Sequence, residues 1–317
     1  MISIIVPHHK ESIEQMNPLL SSLDIQQGID FKDIELLIIN DDKSGAIRQE
    51  AFAKYKNIFP RIKQFFNEKA GYMGVSRQIG IDNALGEYAI FCDADDMIYS
   101  ATILYDLMTR SGADVYSYQF VEEMENHSWI IHEPQFTWMF AKLYKLELIR
   151  RNNVRFSDTL LWHEDTYFNQ VLLAYKPVVE NLGYIGYLWK YSHNSITRKN
   201  NGEYTSKSMC MYIDALDQRL DRIGELLIEG ERKNYIINDI VYIYSVLQDF
   251  RQVEVLDMVR DKIEERLLQY IRKHDAELNC LDGAYVPKIS ERLRNCMQTS
   301  LIVPREGFWE FIQRITK

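Results

Sequence analysis

The sequence predicts an α/β layer structure on a mostly parallel, twisted sheet flanked by helices, followed by a helical C-terminal region. Two observations predict it. Four short apolar runs, residues 2–7, 34–40, 62–66 and 88–93, each end in polar or turn residues, as strands buried on both faces do. Between them lie amphipathic stretches at helical spacing, and such alternation places a ligand site beyond the carboxyl ends of the strands.

The intervening elements follow in order. Residues 18–27, with Asn17 as N-cap, residues 46–55, and residues 73–85 closed by Gly86 read as helices. After residue 200 the pattern turns helical in Tyr235, Ile236, Ile240, Val241, Ile243, Tyr244 and Leu247, then runs into a charged stretch at 257–274. Asn200-Asn201-Gly202 sets the expected boundary, with a catalytic domain at 1–202 and a helical region at 203–317 for packing, oligomerisation or acceptor binding. Phe308, Trp309, Phe311, Ile312 and Ile315, with Arg314 and Lys317, predict a final amphipathic helix with a basic rim. Packing within the chain or across a homo-oligomer is expected ahead of docking on an anionic membrane, since the basic residues are few.

Composition narrows the function classes. The 317 residues are 46% hydrophobic and 26% charged, as in an ordinary globular chain. A net charge of −9 lacks the basic footprint of a nucleic-acid binder. Cys92, Cys210, Cys280 and Cys296 form no CxxC pair, so neither a disulfide framework nor a zinc site is expected. The opening MISIIVPHHK has no basic lead, and no run approaches the roughly 20 apolar residues of a membrane span. A cytoplasmic protein is expected, with room for peripheral contact at the inner face of the membrane.

Three predicted strand ends carry unusual polar residues: His8-His9-Lys10, Asn40-Asp41-Asp42-Lys43 and Asp93-Ala94-Asp95-Asp96. Three carboxylates at one strand end repel and raise one another's pKa unless a cation sits among them. Mg²⁺ or Mn²⁺, held by a few carboxylates and substrate phosphates, resolves the conflict, whereas an isolated D-x-D would more often be a solvated acidic turn.

Ser3-Ile-Ile-Val-Pro7, Leu37-Ile-Ile-Asn-Asp-Asp42, Asn67-x6-Gly74-x2-Arg77-x2-Gly80-x5-Gly86-Glu87-Tyr88 and Asp93-Ala-Asp-Asp96 together resemble, in order and spacing, the family 2 glycosyltransferases of GT-A fold. Lys142-Leu143-Tyr144, Phe156 and His163-Glu164-Asp165 look like the second half of the same domain, so the resemblance covers about residues 1–200. It implies an inverting hexosyl- or hexosaminyltransferase that uses a nucleotide-sugar donor, usually of the UDP class, and a glycan or glycoconjugate acceptor. Pro7 would then end the first strand beside the base, Asp41 would bind the base, and His9 would touch base or ribose. Asp42-Lys43-Ser44 stands where the family often has Gly-Ser, which leaves the shape of that loop open.

By the same resemblance Arg77 would reach toward the nucleotide and Asp95 would be the direct metal ligand. Asp93 would support ribose or metal, with Ala94 lining the donor site. Asp165 would be the general base, with Glu164 orienting it or binding acceptor. The segment 187–198 resembles one that closes over the donor, with His193 a third metal ligand or phosphate contact and Arg198 or Lys190 a diphosphate clamp. Without the resemblance, two acids at a helix start would merely complement the macrodipole, which should also keep Asp165 ionised and weakly basic. Trp138 and Trp162 offer stacking faces for sugars, though core packing suits either better.

Two other readings stand beside this one. A sugar-nucleotide nucleotidyltransferase would carry a Gly-rich basic loop after the first strand, and His8-His9-Lys10-Glu11 is not one. A catalytically silent carbohydrate-binding protein on the same fold would have no need of Asp95 and Asp165.

Overall fold

The structure is a computed structural model and describes residues 1–41, 46–69, 71–193, 202–249, 253–278, 285–300 and 304–317. The chain divides into two compact units, residues 1–195 and 196–317.

The first unit is built on a nine-stranded sheet. Its strands are β1 (Ile2–His8), β2 (Ile34–Asn40), β3 (Ile62–Phe66), β4 (Tyr88–Phe91), β5 (Met97–Ile98), β6 (Val115–Glu123), β7 (Trp129–His132), β8 (Lys142–Lys145) and β9 (Val179–Trp189). Their order is β3-β2-β1-β4-β8-β6-β9-β5, with β7 pairing β6 outside that path. β3, β2, β1 and β4 run parallel, β8 is antiparallel to both β4 and β6, and β9 runs parallel to β6. β1 and β2 are buried along their whole length, as their unbroken apolar runs predict. β3 is not. It lies at the sheet edge, so Lys63 and Phe66 are exposed, which corrects the expectation of burial on both faces.

Helices α1 (Asn17–Asp24), α2 (Met73–Asn83), α3 (Ile103–Met108), α4 (Leu146–Arg151) and α5 (Glu164–Ala174) complete this unit. Asn17 does not cap α1. It is the first helical residue, and its side-chain oxygen accepts from Tyr55 Oη at 2.9 Å and Ser21 Oγ at 3.3 Å. Residues 46–55 do not form an α-helix but contain one 3₁₀ turn, Gln49–Phe52. Phe52, Tyr55 and Ile58 are the buried anchors there, and a recurrence every third residue is met by tight turns as well as by a helix.

At the amino ends of the strands one buried carboxylate ties the sheet together. Glu35 of β2 accepts from Ser3 Oγ at 2.7 Å, Lys63 Nζ at 2.8 Å and the Leu85 amide at 2.6 Å, while Ser3 Oγ accepts from the Gly86 amide at 2.9 Å. Burial opposes the charge, but these donors outweigh it and hold Glu35 below the usual carboxylate range. Gly86 is therefore not a helix cap. A Cβ there would lie 2.6 Å from Ser3 Oγ and 2.7 Å from Ser3 N.

The second unit is helical: α6 (Gly202–Ile223), α7 (Glu229–Leu247), α8 (Val253–Lys273), α9 (Asp275–Leu278), α10 (Tyr285–Ser300) and α11 (Phe308–Thr316). Its core joins Ile213, Leu220, Ile240, Ile263 and Leu267 with Phe308, Phe311 and Ile315 of α11, so the last helix buries its apolar face in its own unit. Arg314 pairs with Glu264 at 2.7 Å and with Glu306 at 2.9 Å, which neutralises part of the expected basic rim. Among the described residues no helix is long and apolar enough to cross a membrane.

Gly86→Ala should cost about 1–3 kcal/mol, because the added methyl meets backbone that cannot move aside. Urea denaturation would report it as a lower midpoint at unchanged slope. An unaltered midpoint would show that the β4 turn yields.

Candidate active site

The carboxyl ends of β1, β2 and β4 and the start of α5 supply the polar groups of the site. Pro7 is the buried penultimate residue of β1. Two residues on, His9 Nδ1 lies 2.9 Å from Asp41 Oδ2 beyond the end of β2. Asp41 is buried and also accepts from the Gly71 amide at 2.7 Å and from Asn67 Nδ2 at 3.1 Å. Asn67, itself buried, donates to Ser76 Oγ at 3.0 Å as well, so it fastens the end of β2 to the start of α2. Asp42, Lys43 and Ser44 lie outside the described residues.

One turn into α2, Arg77 is 6% exposed and bridges two distant segments. Its Nη1 donates to Glu164 Oε1 at 2.5 Å and its Nη2 to Asp93 Oδ1 at 3.2 Å, while Nε has no partner among the described residues. Burial works against the guanidinium charge, but Glu164, Asp93 and Asp165 together raise its pKa, so it stays charged. Gly74 makes room for this approach, since a Cβ there would stand 3.0 Å from Glu164 Cγ.

The Asp93–Asp96 turn follows β4 directly. Asp96 is buried and accepts from Tyr187 Oη at 2.7 Å and from the Lys190 amide at 2.9 Å; the same Tyr187 oxygen accepts from the Asp93 amide at 3.0 Å. Ala94 is buried beside them. Asp95 has no side-chain hydrogen-bond donor among the described residues. Burial and the neighbouring Asp93 push its pKa up to about 6, and burial with both neighbours pushes Asp96 well above the usual range.

On the other side of Arg77, His163 turns the chain into α5 at φ 62°, a left-handed conformation that costs a non-glycine residue ~1 kcal/mol. Glu164 is pushed up to about 7 by burial and by Asp165, with Arg77 pulling the other way. Asp165 is raised too, chiefly by burial, with Arg77 and its hydrogen bonds opposing. Asp165 is thus a stronger base than an ordinary solvated carboxylate, with burial the largest influence on it. Lys142 of β8 is buried as well, and burial lowers its pKa to about 7 while Asp165 pulls it up.

The structure thus brings Pro7, His9 and Asp41 into one group and Arg77, Asp93, Glu164 and Asp165 into another. Among the described residues it does not gather a three-ligand set. Exposed His193 meets Tyr191, its Nδ1 lying 3.1 Å from Tyr191 Oη, and among the described residues no group of three or more His, Cys, Asp or Glu side chains is placed to hold an ion. Arg198 lies outside the described residues. Trp138 is partly buried and packs against the core, its ring near-parallel to Phe140 at 5.9 Å and 5.5 Å from Trp189. Tyr187 escaped the sequence reading because a tyrosine in an aromatic-rich strand looks like packing. Its signal is period-2 alternation, which puts Tyr187 and Trp189 on one face of β9.

A family model described as glycosyl transferase family 2 matches residues 3–164. Among curated proteins the chain is 25% identical over 226 residues to the uncharacterized glycosyltransferase EpsJ of Bacillus subtilis, covering 62% of this chain and 63% of that one. It is 28% identical over 258 residues to the glycosyltransferase GlyA of Streptococcus pneumoniae, covering 71% of this chain and 35% of that one. The chain therefore spans less than two thirds of the length of these relatives. Among solved structures, S. aureus TarS 1–349 in complex with UDP-GlcNAc aligns at a TM-score of 0.63 and 17% identity, covering 94% of this chain and 90% of that one. That likeness shows the GT-A type fold.

The Asp95 shift fixes a pH dependence. Its folded pKa of about 6 stands above the ordinary 3.8, so the folded state keeps a proton that the unfolded chain releases. The stability this contributes is full below about pH 4 and is lost as pH rises through about 6. In buffer without divalent cations, Asp95→Asn should be the more stable protein above pH 7, by ~1–2 kcal/mol. Melting curves that run parallel for the two proteins from pH 4 to 8 would contradict it.

Proposed function

The chain belongs to glycosyl transferase family 2, and from that membership we propose that it moves a sugar from a nucleotide-diphosphate donor, of the UDP class, to a hydroxyl of a glycan or glycoconjugate, with inversion. The observation behind this reading is the Arg77 bridge, which sets the carboxylate turn after β4 beside the acids that open α5. Donor and acceptor chemistry need that adjacency.

In this reading the base of the nucleotide lies against Pro7 and Asp41, where His9 and the Gly71 amide already converge. Asp93 and Ala94 line the ribose and diphosphate side. The free Arg77 Nε and the segment reaching Arg198 would meet the diphosphate. S. aureus TarS has been solved with UDP-GlcNAc, which supports a donor of that class.

The donor atoms suit a hard divalent cation. Asp95 is a carboxylate whose charge is resisted by burial and by Asp93 more than Lys190 favours it, and oxygen ligands of this kind favour Mg²⁺ or Mn²⁺. Asp95, with Asp93, would hold the ion, the remaining positions going to phosphate oxygens or water; His193 could join only from beyond its present place beside Tyr191. When bound, the ion neutralises charge on the departing diphosphate.

Asp165 takes the proton from the acceptor hydroxyl as the oxygen attacks the anomeric carbon and the bond to the diphosphate breaks. Its raised pKa makes it a stronger base than a solvated carboxylate. Glu164, held by Arg77, keeps the first turn of α5 in place. A base on the face opposite the leaving group gives single displacement with inversion.

A panel of nucleotide sugars, assayed for free nucleotide with and without Mn²⁺, should yield turnover with a UDP-sugar that EDTA abolishes and Mn²⁺ or Mg²⁺ restores. Undiminished turnover in EDTA would remove the cation from the mechanism. Asp165→Asn should lower turnover by roughly 10²-fold or more with UDP affinity unchanged on calorimetry. Near-normal transfer by that variant would move the base elsewhere.

A further inference from the structure

Lys142 is a buried cation of the first unit that this mechanism leaves unused. It opens β8 at 2% exposure, and among the described residues it has no ion-pair partner. Its Nζ donates to the carbonyl oxygens of Trp138 at 2.9 Å and Phe140 at 3.0 Å and stands 5.4 Å from the Phe136 ring centroid. An ammonium group is costly to bury, so a hydrophobic residue would serve mere packing better.

Its acceptors belong to a segment tied down in the same way from α5. Buried Asn169 donates to the carbonyls of Phe136 at 3.0 Å and Trp138 at 3.1 Å and accepts from Tyr144 Oη at 2.8 Å. Thr166 Oγ1, one residue from Asp165, reaches the Thr137 carbonyl at 3.4 Å. Four carbonyls, those of residues 136, 137, 138 and 140, are thus turned inward onto side chains of β8 and α5. Ala141, just before Lys142, adopts φ 57°, a left-handed conformation that persists only where the surroundings enforce it. Thr137 is left exposed beside the first turn of α5, where Asp165 stands.

We propose that Lys142 is a positioning residue: its ammonium group clamps residues 136–141 against the start of α5, and that segment is the wall on which the acceptor hydroxyl is presented to Asp165. This rests on Asp165 being the base of the transfer reaction. The ligand of the wall is the polyhydroxylated acceptor, met by Thr137 and by the edge of Phe136, while the donor lies on the far side of Arg77.

The test compares full-length wild type with Lys142→Met, which keeps length and removes charge, and Lys142→Gln, which keeps a donor. Amide hydrogen exchange should quicken in residues 136–141 of the Met variant and stay unchanged in residues 88–98. UDP affinity by calorimetry and the KM for whichever UDP-sugar the wild type turns over should stay within about threefold, while kcat falls roughly tenfold or more, less in the Gln variant. Quickened exchange with unchanged kcat would make the clamp merely structural and overturn the proposal, as would unchanged exchange or a parallel loss of UDP affinity. A wild type that releases nucleotide from no donor would instead count against the transfer reading, and the exchange comparison would still decide whether Lys142 holds the segment.

Discussion

One buried guanidinium holds the site together. Asp93 and Glu164 come from segments far apart in sequence, and burial disfavours the charge of Glu164; brought together alone the two carboxylates would repel. Arg77 lies between them and hydrogen-bonds both. Breaking a buried ion pair of this kind typically costs ~3–5 kcal/mol, because the surviving charge loses its partner. Gly74, one turn before Arg77, is what lets α5 come close enough for the bridge. The geometry of Asp165 is inherited from this contact, since it follows Glu164 directly in α5.

The sheet divides the labour at a seam. Its parallel strands β3, β2, β1 and β4 end in the polar turns that gather around Asp41 and Asp93. Past β4 the antiparallel strand β8 interrupts that run, and β8, β6 and β9 bring in aromatic walls. Tyr187 crosses the seam: its ring stacks on Phe140 at 4.7 Å, and its hydroxyl joins Asp96 to the Asp93 amide. The carboxylate turn is thus shaped from across the seam, by a strand beyond β8.

What was legible in the sequence follows from range. β1 and β2 could be read because an unbroken apolar run has one use in a parallel sheet. β3 looked alike and differs because sheet order, which local pattern does not encode, puts it at the edge. Asn17 had the chemistry of a cap, and a long-range partner, Tyr55, claimed its oxygen instead. In the site, Asp41 and Asp93 stood out through charge at strand ends, whereas Arg77 and Asp165 were named through the resemblance to family 2 glycosyltransferases. Tyr187 and Lys142 did not stand out, because their partners are backbone groups and rings that only the folded chain brings near. The direction of the Asp165 shift was likewise hidden, since the dipole is local and the desolvation is not.

The two ends of the sheet treat the same functional group in opposite ways. At the amino ends Glu35 is buried with three donors and is held below the usual carboxylate range. At the carboxyl ends Asp95 is half-buried beside Asp93, with no side-chain donor among the described residues, and is held above it. Nothing in the intrinsic chemistry of Asp and Glu accounts for the contrast; the number of donors aimed at each does. A satisfied carboxylate locks strands together and leaves its surroundings indifferent to cations. An unsatisfied one destabilises its own site and turns that deficit into affinity for whatever positive charge arrives. The fold can carry such a deficit because the Glu35 network fixes the strands from the other end, so the tension among Asp93, Asp95 and Asp96 does not have to be relieved by moving them apart.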